Sequence, residues 1–263
     1  MAGSLKVVVS VALLALGCGS NPTSNGRGGS ITLTQQSDAS GFNYVINAFW
    51  GNYTACTTVT LGQCSSAVCD LSSAGNATTQ GFDAGPLLVT GSNGSTASLS
   101  FDPTGPNSAD GYQLAVGSTQ FFAAGDTVTV SGAGGADLPA FSSEAVVAPS
   151  DVLVSAPSCV AGACPSLDSS QDVSVVWSGS SGGALSFSLF NDMNGPLESV
   201  ACSFDLSSGA GTVPHELLAA FPLGSNVVET AATFSSLSFT VGGLPTAFDV
   251  VATQATGTAT VAN

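Results

Sequence analysis

Short runs of alternating apolar and polar residues, separated by turn residues, repeat along the chain from Ile31 onward. The alternation is clearest in residues 173–177 (VSVVW) and 185–189 (LSFSL), where serines separate most of the apolar side chains. A period of two residues places successive side chains on opposite faces of a β-strand. The pattern predicts an all-β protein, in which the intervening stretch 178–183 (SGSSGG) forms a hairpin turn.

Further β-type runs occur in both halves of the chain, whereas one stretch, 213–221 (VPHELLAAF), has the composition of a helix of about two turns. Strands spaced in this way, with Gly and Pro between them, favour antiparallel β-sandwiches. The segment 148–151 (APSD) interrupts two apolar runs, so we predict two sandwich domains, 31–148 and 149–263. The other predicted strands are FNYVINAFW, ACTTVTLG, PLLVTG, TASLSF, YQLAV, DTVTVSG, EAVVAP, DVLVSA, SVACSFDL, VVETAATF, SLSFTV and FDVVATQA.

The N-terminus has the pattern of an export signal. Lys6 precedes a largely apolar stretch, 7–16, that is too short to span a bilayer but suits a signal peptide. The triplet 15–17 (ALG) before Cys18 resembles the bacterial lipoprotein signal, which implies that Cys18 carries the lipid and, with no Asp after it, that the protein reaches the outer membrane. We predict a signal peptide, 1–17, and a flexible Gly/Ser/Asn-rich tether, 18–30. Ordinary secretory cleavage at the same small residues is the alternative.

Seven cysteines leave six for disulfides once Cys18 carries lipid. An exported chain meets an oxidising environment, and the chain has no C-x-x-C pair of the kind found in zinc and redox sites. Each half contains three, so full pairing requires at least one bridge between the halves. Fifteen arrangements are open, and a local 159–164 bridge would leave Cys202 to reach the first half. The six predicted disulfide cysteines are Cys56, Cys64, Cys69, Cys159, Cys164 and Cys202.

Charge excludes several kinds of partner. Lys6 and Arg27 are the only cationic residues, against seventeen Asp and Glu. No Lys or Arg follows Arg27, so the rest of the chain cannot neutralise phosphates, and nucleic-acid binding is excluded. We also expect mutual repulsion to raise the pKa of the carboxyl groups, and the protein to be more stable near pH 5 than near pH 8 at low salt.

One motif suggests a hydrolase. The stretch 179–183 matches G-x-S-x-G, and a triad of Ser181 and His215 with Asp192 or Asp205 can be written in chain order. That motif requires a helix after the serine, whereas a strand follows here. We therefore interpret the stretch as a turn and His215 as a partly exposed residue at a helix start, where the helix N-terminus disfavours its protonated form. We predict no enzymatic activity.

We predict no cofactor, but oxygen-bearing side chains in two predicted loops could bind calcium. Asp102, Asn107 and Asp110 lie in one predicted loop, and 191–194 (NDMN) in another. Calcium prefers oxygen ligands in flexible loops, but neither stretch has EF-hand spacing. Asp and Asn are also ordinary turn residues, so we predict no metal site and keep the first loop as a weak calcium candidate.

An early group of aromatic residues allows two interpretations. Phe42, Tyr44, Phe49, Trp50 and Tyr53 could form an exposed platform that stacks on sugars, which would make the protein a carbohydrate-binding module. Burial is the usual fate of large apolar side chains in a strand, so the sequence favours a sandwich core.

Four stretches, FFAAGDTVTVSG, LPAFSSEAVVAPS, DVSVVWSGSSGG and VACSFDLSSGAGTVPHELLAAF, resemble uncharacterised myxobacterial secreted lipoproteins with immunoglobulin-like sandwiches. The resemblance implies a disulfide-stabilised, immunoglobulin-like β-sandwich envelope protein and supplies no catalytic residues. We therefore expect a non-catalytic lipoprotein with a structural, adhesive or interaction role at the cell surface. Its expected partners are the membrane, through the lipid, and envelope proteins or glycans.

Overall fold

The computed structural model describes residues 27–38, 41–52, 57–69, 81–102, 112, 115–160, 162–179, 183–191 and 197–262. The described residues contain seventeen strands, a single 3-10 turn and one short helix, joined by turns and irregular segments, which confirms the all-β prediction. The elements are β1 (Arg27–Asp38), β2 (Gly41–Asn52), β3 (Thr57–Leu61), β4 (Cys64–Cys69), β5 (Leu87–Gly91), β6 (Thr96–Leu99), β7 (Ala115–Gly117), β8 (Thr127–Gly132), β9 (Phe141–Val147), β10 (Val152–Ala156), β11 (Leu167–Asp168), β12 (Val173–Gly179), β13 (Ala184–Asn191), β14 (Leu197–Asp205), the 3-10 turn (Leu206–Ser208), β15 (Ala210–Val213), α1 (His215–Leu218), β16 (Asn226–Val241) and β17 (Leu244–Ala262).

The strands form one large sheet and two small ones. The large sheet has the order β3-β4-β14-β13-β16-β17-β1-β2-β7, with β11 beside the end of β17. The small sheets are β10-β12-β15 and β6-β5-β8-β9. Pairing is antiparallel except between β17 and its partners β1 and β11, which run parallel to it. The large sheet is therefore mixed, which differs from the purely antiparallel sheets that the strand spacing predicts.

A long hairpin, β16–β17, lies in the interior of the large sheet. Gly242 and Gly243 both have positive φ and close its two-residue turn, a conformation that glycine adopts readily. The pairing shifts register where Ala231 faces Ala255 and Ala232 faces Thr253, which gives β17 one extra residue. The sequence predicts two separate strands, VVETAATF and SLSFTV, where the structure has the single strand β16.

Two hydrophobic cores lie against the same face of the large sheet. The odd-numbered residues of β16 face both of them, Val227 and Ala231 in one core and Val241 in the other. The small sheet β6-β5-β8-β9 covers core one, and the small sheet β10-β12-β15 covers core two. Core one includes Ile31, Leu33, Ile46, Trp50, Leu87, Leu99, Phe121, Phe122 and Phe248. Core two includes Val175, Trp177, Leu185, Phe187, Cys202, Phe204, Leu217 and Val227.

The cores do not divide at one point of the chain. Core one takes Val241, Phe248 and Val250 from the second half, and core two takes Cys64 from the first. The domain limits 31–148 and 149–263 stay a prediction about folding units. What the structure shows is two sandwich-like layers built on one continuous sheet.

The predicted hairpin around residues 179–183 is wrong. β12 pairs with β10 and β15 in a small sheet, whereas β13 pairs with β14 and β16 in the large sheet. The chain crosses between the layers here, so that Trp177 enters core two from one side and Phe187 from the other. Alternation predicted both strands, but two apolar faces can meet across a core as well as lie side by side in one sheet.

Helix α1 is shorter than the predicted two turns. Its four residues follow Pro214, and Leu217 and Leu218 are buried in core two. Pro222 follows closely, and the residue before a proline is driven out of helical geometry. Within the described ranges, no helix has the length and hydropathy needed to cross a bilayer.

Candidate functional site

Two disulfides are present among the residues that the structure describes. Cys64 in β4 pairs with Cys202 in β14, and Cys159 pairs with Cys164 within one loop. The first bridge joins the two halves of the chain and lies in core two. Disulfides are typical of exported proteins. Of the other predicted cysteines, Cys18 and Cys56 lie outside the described residues, and Cys69 is described only in its backbone.

The structure gives His215 a different carboxylate partner from the one proposed for a triad. Its Nδ1 atom lies 2.8 Å from Asp172 Oδ1 and 3.5 Å from Glu216 Oε2. Asp205 instead accepts hydrogen bonds from the backbone and hydroxyl of Ser207. Ser181 and Asp192 lie outside the described residues, so the triad itself stays an untested alternative.

The carboxylates of Asp172 and Glu216 shift the pKa of His215 in the direction opposite to the one we expected. The hydrogen bond to Asp172, with the negative charge of Glu216, raises the pKa of His215, whereas we expected the helix N-terminus to disfavour its protonated form. A four-residue helix has a small dipole, so the adjacent carboxylates dominate. The three side chains bring their ligand atoms within 4.8 Å of one another, but all are largely exposed, and such surface groups do not by themselves make a metal site.

The calcium candidates are only partly described. Asp102 follows the short pairing of Phe101 with Tyr112, while Asn107 and Asp110 lie outside the described residues. In the second loop, the Asn191 side chain donates to Glu198 and accepts from the Glu198 backbone, so its amide already has protein partners. Calcium binding stays a prediction.

The early aromatic residues contribute to core one. Trp50 is fully buried, its Nε1 atom donates to Thr246 Oγ1, and its ring contacts Tyr112. Tyr44 packs edge-on against the buried Phe121. Phe42 and Phe49 are partly exposed, and Tyr53 lies outside the described residues. The aromatic group therefore does not present Trp50 or the ring of Tyr44 as a flat sugar-stacking platform.

An exposed apolar patch lies at one end of the large sheet. Among the described strands, β3 ends the sheet order and all five of its residues are exposed. Val59, Leu61 and Val68 are 58%, 41% and 39% exposed, and pairing with β4 places them on one face of the hairpin. We call Val59, Leu61 and Val68 the β3 edge surface. The residues 57–69 include no charged side chain and no proline.

Two buried carboxyl groups were not predicted from the sequence. Glu229 is 3% exposed and burial raises its pKa to about 7. Burial also raises the pKa of Asp249, against a hydrogen bond from Ser236 that lowers it. The alternation of Val227, Glu229 and Ala231 along β16 is a usable signal, because it places the glutamate on an apolar face.

Comparison with protein-family models gives no match, and comparison with curated proteins gives none. Among solved structures, the crystal structure of chicken CNTN1 FN1-FN3 domains is similar at a TM-score of 0.25 and 8% sequence identity. The match covers 84% of this chain and 76% of that one. Likeness at this level carries no information on function or partners.

Proposed function

We propose that the protein is an exported, non-catalytic interaction module, held at the cell envelope by lipid on Cys18, that binds an extended segment of another protein along β3. The β3 edge surface is the observation that carries the proposal. The signal-like N-terminus and the two disulfides support export, and the binding mode follows from the exposed strand.

Edge strands in soluble proteins usually carry charges, prolines or bulges that prevent pairing with another chain. None of these occurs in Thr57–Leu61. A strand with free backbone groups and alternating side chains can accept a further strand, which gives affinity through the backbone and specificity through the side chains. β4 is the neighbour of β3, and the Cys64–Cys202 bridge fixes β4 to β14. The bridge therefore holds the β3–β4 hairpin in place, so that β3 can pair with an incoming strand.

Charge defines the partner. The chain has a net charge of −15, so a second copy would be repelled, most strongly at low salt. A segment with Lys or Arg beside its apolar residues would be attracted and steered to the surface. We therefore expect a basic, extended segment of a different envelope protein.

A photo-crosslinking residue at Thr60, in the full chain expressed in its native envelope, tests this. We expect one defined crosslinked protein, lost when Val59→Lys places a positive charge on the β3 edge surface. Val116→Lys is the matched control, because Val116 is 69% exposed and lies in β7, at the opposite end of the large sheet from β3. A crosslinked product that survives Val59→Lys, or the absence of any product, would contradict binding at β3.

Lipid anchoring has its own measurement. The intact mass of protein purified from native membranes should match residues from Cys18 onward plus acyl chains. A mass without acyl chains would leave an exported but unanchored protein, and would reject the anchoring part of the proposal alone.

A further inference from the structure

The buried carboxyl group of Glu229 lies against the Cys159–Cys164 disulfide. A carboxylate oxygen of Glu229 and the two Sγ atoms all lie within 4.8 Å of one another. Glu229 faces Gly257 across the β16–β17 pairing, and a side chain at 257 would collide with Cys164 Sγ. The lack of a side chain at Gly257 therefore allows the disulfide to pack against the sheet beside the Glu229 carboxyl group.

Packing and hydrogen bonding do not account for this glutamate. Its Oε2 atom has no hydrogen-bond partner among the described residues. Its neighbours across the sheet, Leu189 on β13 and Gly257 on β17, do not titrate, and the described groups that approach it from the loop are the two cysteines. Burial alone raises its pKa. A buried acid without a partner costs stability, so its place beside a disulfide points to chemistry there.

The two disulfides differ in ways that separate a structural bridge from a reactive one. Cys64 and Cys202 are 138 residues apart and both are 2% exposed. Cys159 and Cys164 are five residues apart and both are partly exposed. Closing a short loop removes little entropy from the unfolded chain, so the second bridge contributes less to stability. Because its two cysteines are partly exposed, a thiol from solvent can reach it.

We propose that Cys159–Cys164 is a site of thiol–disulfide exchange at which Glu229 donates and accepts the proton. An external thiolate attacks one Sγ atom, forming a mixed disulfide and breaking the Cys159–Cys164 bond. The electron pair passes to the other Sγ atom, which takes the proton of the Glu229 carboxyl group. A second external thiolate attacks the external sulfur of the mixed disulfide, releasing the oxidised external thiol and a second cysteine thiolate, which takes a proton from solvent.

The balance of this exchange is one protein disulfide and two external thiols giving two cysteine thiols and one external disulfide. The protons released by the external thiols restore Glu229 and protonate the second cysteine. Glu229 can donate below about pH 7, where it is protonated. The exchange is independent of binding at β3, since neither site contains a residue of the other.

The test is the rate of reduction of each disulfide in the folded full chain by dithiothreitol, at constant thiolate concentration, from pH 6 to pH 8.5. Newly formed thiols are alkylated and located in peptic peptides, because the chain has no Lys or Arg after Arg27 for trypsin to cleave. Glu229→Gln should slow reduction of Cys159–Cys164 by about tenfold or more at pH 6, with the difference closing by pH 8.5. Glu144→Gln, in β9 on the other core, is the matched control and should leave the rate unchanged.

Cys64–Cys202 reports on folding, because it should stay oxidised in every folded variant. If Cys64–Cys202 is reduced in Glu229→Gln, that variant is not folded, and Glu229→Asp is measured in its place. Glu229→Asp keeps the acid, so it should retain a pH-dependent rate between that of the wild type and that of a protein with no acid there. Equal rates for wild type and a folded Glu229 variant at pH 6, or reduction of Cys159–Cys164 no faster than of Cys64–Cys202, would overturn the proposal.

Discussion

Burial sets the protonation behaviour of Glu229 and Asp249, each of which lies on a strand of the long hairpin. Desolvation is what raises the pKa at both sites, and at Asp249 it outweighs a hydrogen bond from Ser236 that lowers the pKa. Mutual repulsion among the acidic residues, which we expected from composition, is not a cause at either site. The direction expected from the sequence holds at both sites, but for a different physical reason.

Surface carboxylates behave in the opposite way. Three of them accept hydrogen bonds from neighbouring backbone or side-chain groups, which stabilise the charged form and lower the pKa. The stability they contribute is present above their unfolded value and is lost as pH falls below it. These residues are Asp168, Asp172 and Asp205.

Stability should therefore fall as pH rises from 5 to 8. The raised pKa of Glu229 means that the native state binds its proton more tightly than the unfolded chain does, and this difference adds to the free energy of unfolding. The added free energy is complete below about pH 4.5 and is lost as pH rises through about 7. His215, whose pKa is also raised, acts in the same direction. Melting temperatures at low salt should decrease over this range, and Glu229→Gln should reduce the decrease. A wild-type melting temperature that is flat or rising would refute the expectation.

Single residues were predictable where one physical effect dominates. Alternation within 173–177 (VSVVW) places Val175 and Trp177 on one face of a strand, and both side chains are buried in core two. Alternation alone did not identify Glu229, because a glutamate in a strand is ordinarily assigned to the solvent face, and nothing in the sequence indicates that the Cys159–Cys164 disulfide lies against it. The partner of His215 lies forty-three residues away in sequence, at Asp172, and nothing local indicates it.

At the scale of elements, strand positions were predictable and strand partners were not. The predicted strand DTVTVSG is observed as β8, and in the turn before it Gly125 has positive φ and the Asp126 side chain accepts from the Ala123 backbone. Pairing of β1 with β17, more than two hundred residues apart, depends on which apolar faces meet in three dimensions. β1, β4, β11 and β15 are absent from the predicted strands; SSAV in β4 and AGTV in β15 carry few apolar residues.

The two disulfides should contribute unequally to the free energy of unfolding. Replacing Cys64 and Cys202 together by Ala should lower it by up to roughly 5 kcal/mol, because that bridge closes a loop across more than half the chain. Replacing Cys159 and Cys164 together should lower it by roughly 2 kcal/mol. Urea unfolding under non-reducing conditions measures both double variants, and equal losses would be inconsistent with loop closure as the cause.

At the scale of the whole molecule, the two cores depend on one another through the β16–β17 hairpin. The hairpin supplies Val227 and Ala231 to core two, and Val241 and Phe248 to core one. Loss of either core would leave part of the hairpin without its apolar partners. The cores should therefore unfold together, although chains of this length often unfold in steps.

The chain has one tryptophan in each core, which allows a direct measurement. Trp177→Phe leaves Trp50 to report on core one, and Trp50→Phe leaves Trp177 to report on core two. Fluorescence-detected urea transitions of the two variants should coincide with those measured by circular dichroism on the same proteins. Two separated midpoints within either variant would show that the cores unfold independently.

The parallel pairing of β1 with β17 has a mechanical consequence. The two strands lie side by side from Gly29 and Thr246 to Gln36 and Thr253. Tension applied to the start of β1 and the far end of β17 would act along both strands and would shear the evenly spaced, slanted hydrogen bonds that join them. Those bonds would share the load at once instead of opening one after another like a zipper. Pulled through these two strands, which lie in the interior of the large sheet, the fold would transmit force as a rigid link, whereas the β3–β4 hairpin at one end of that sheet would peel open.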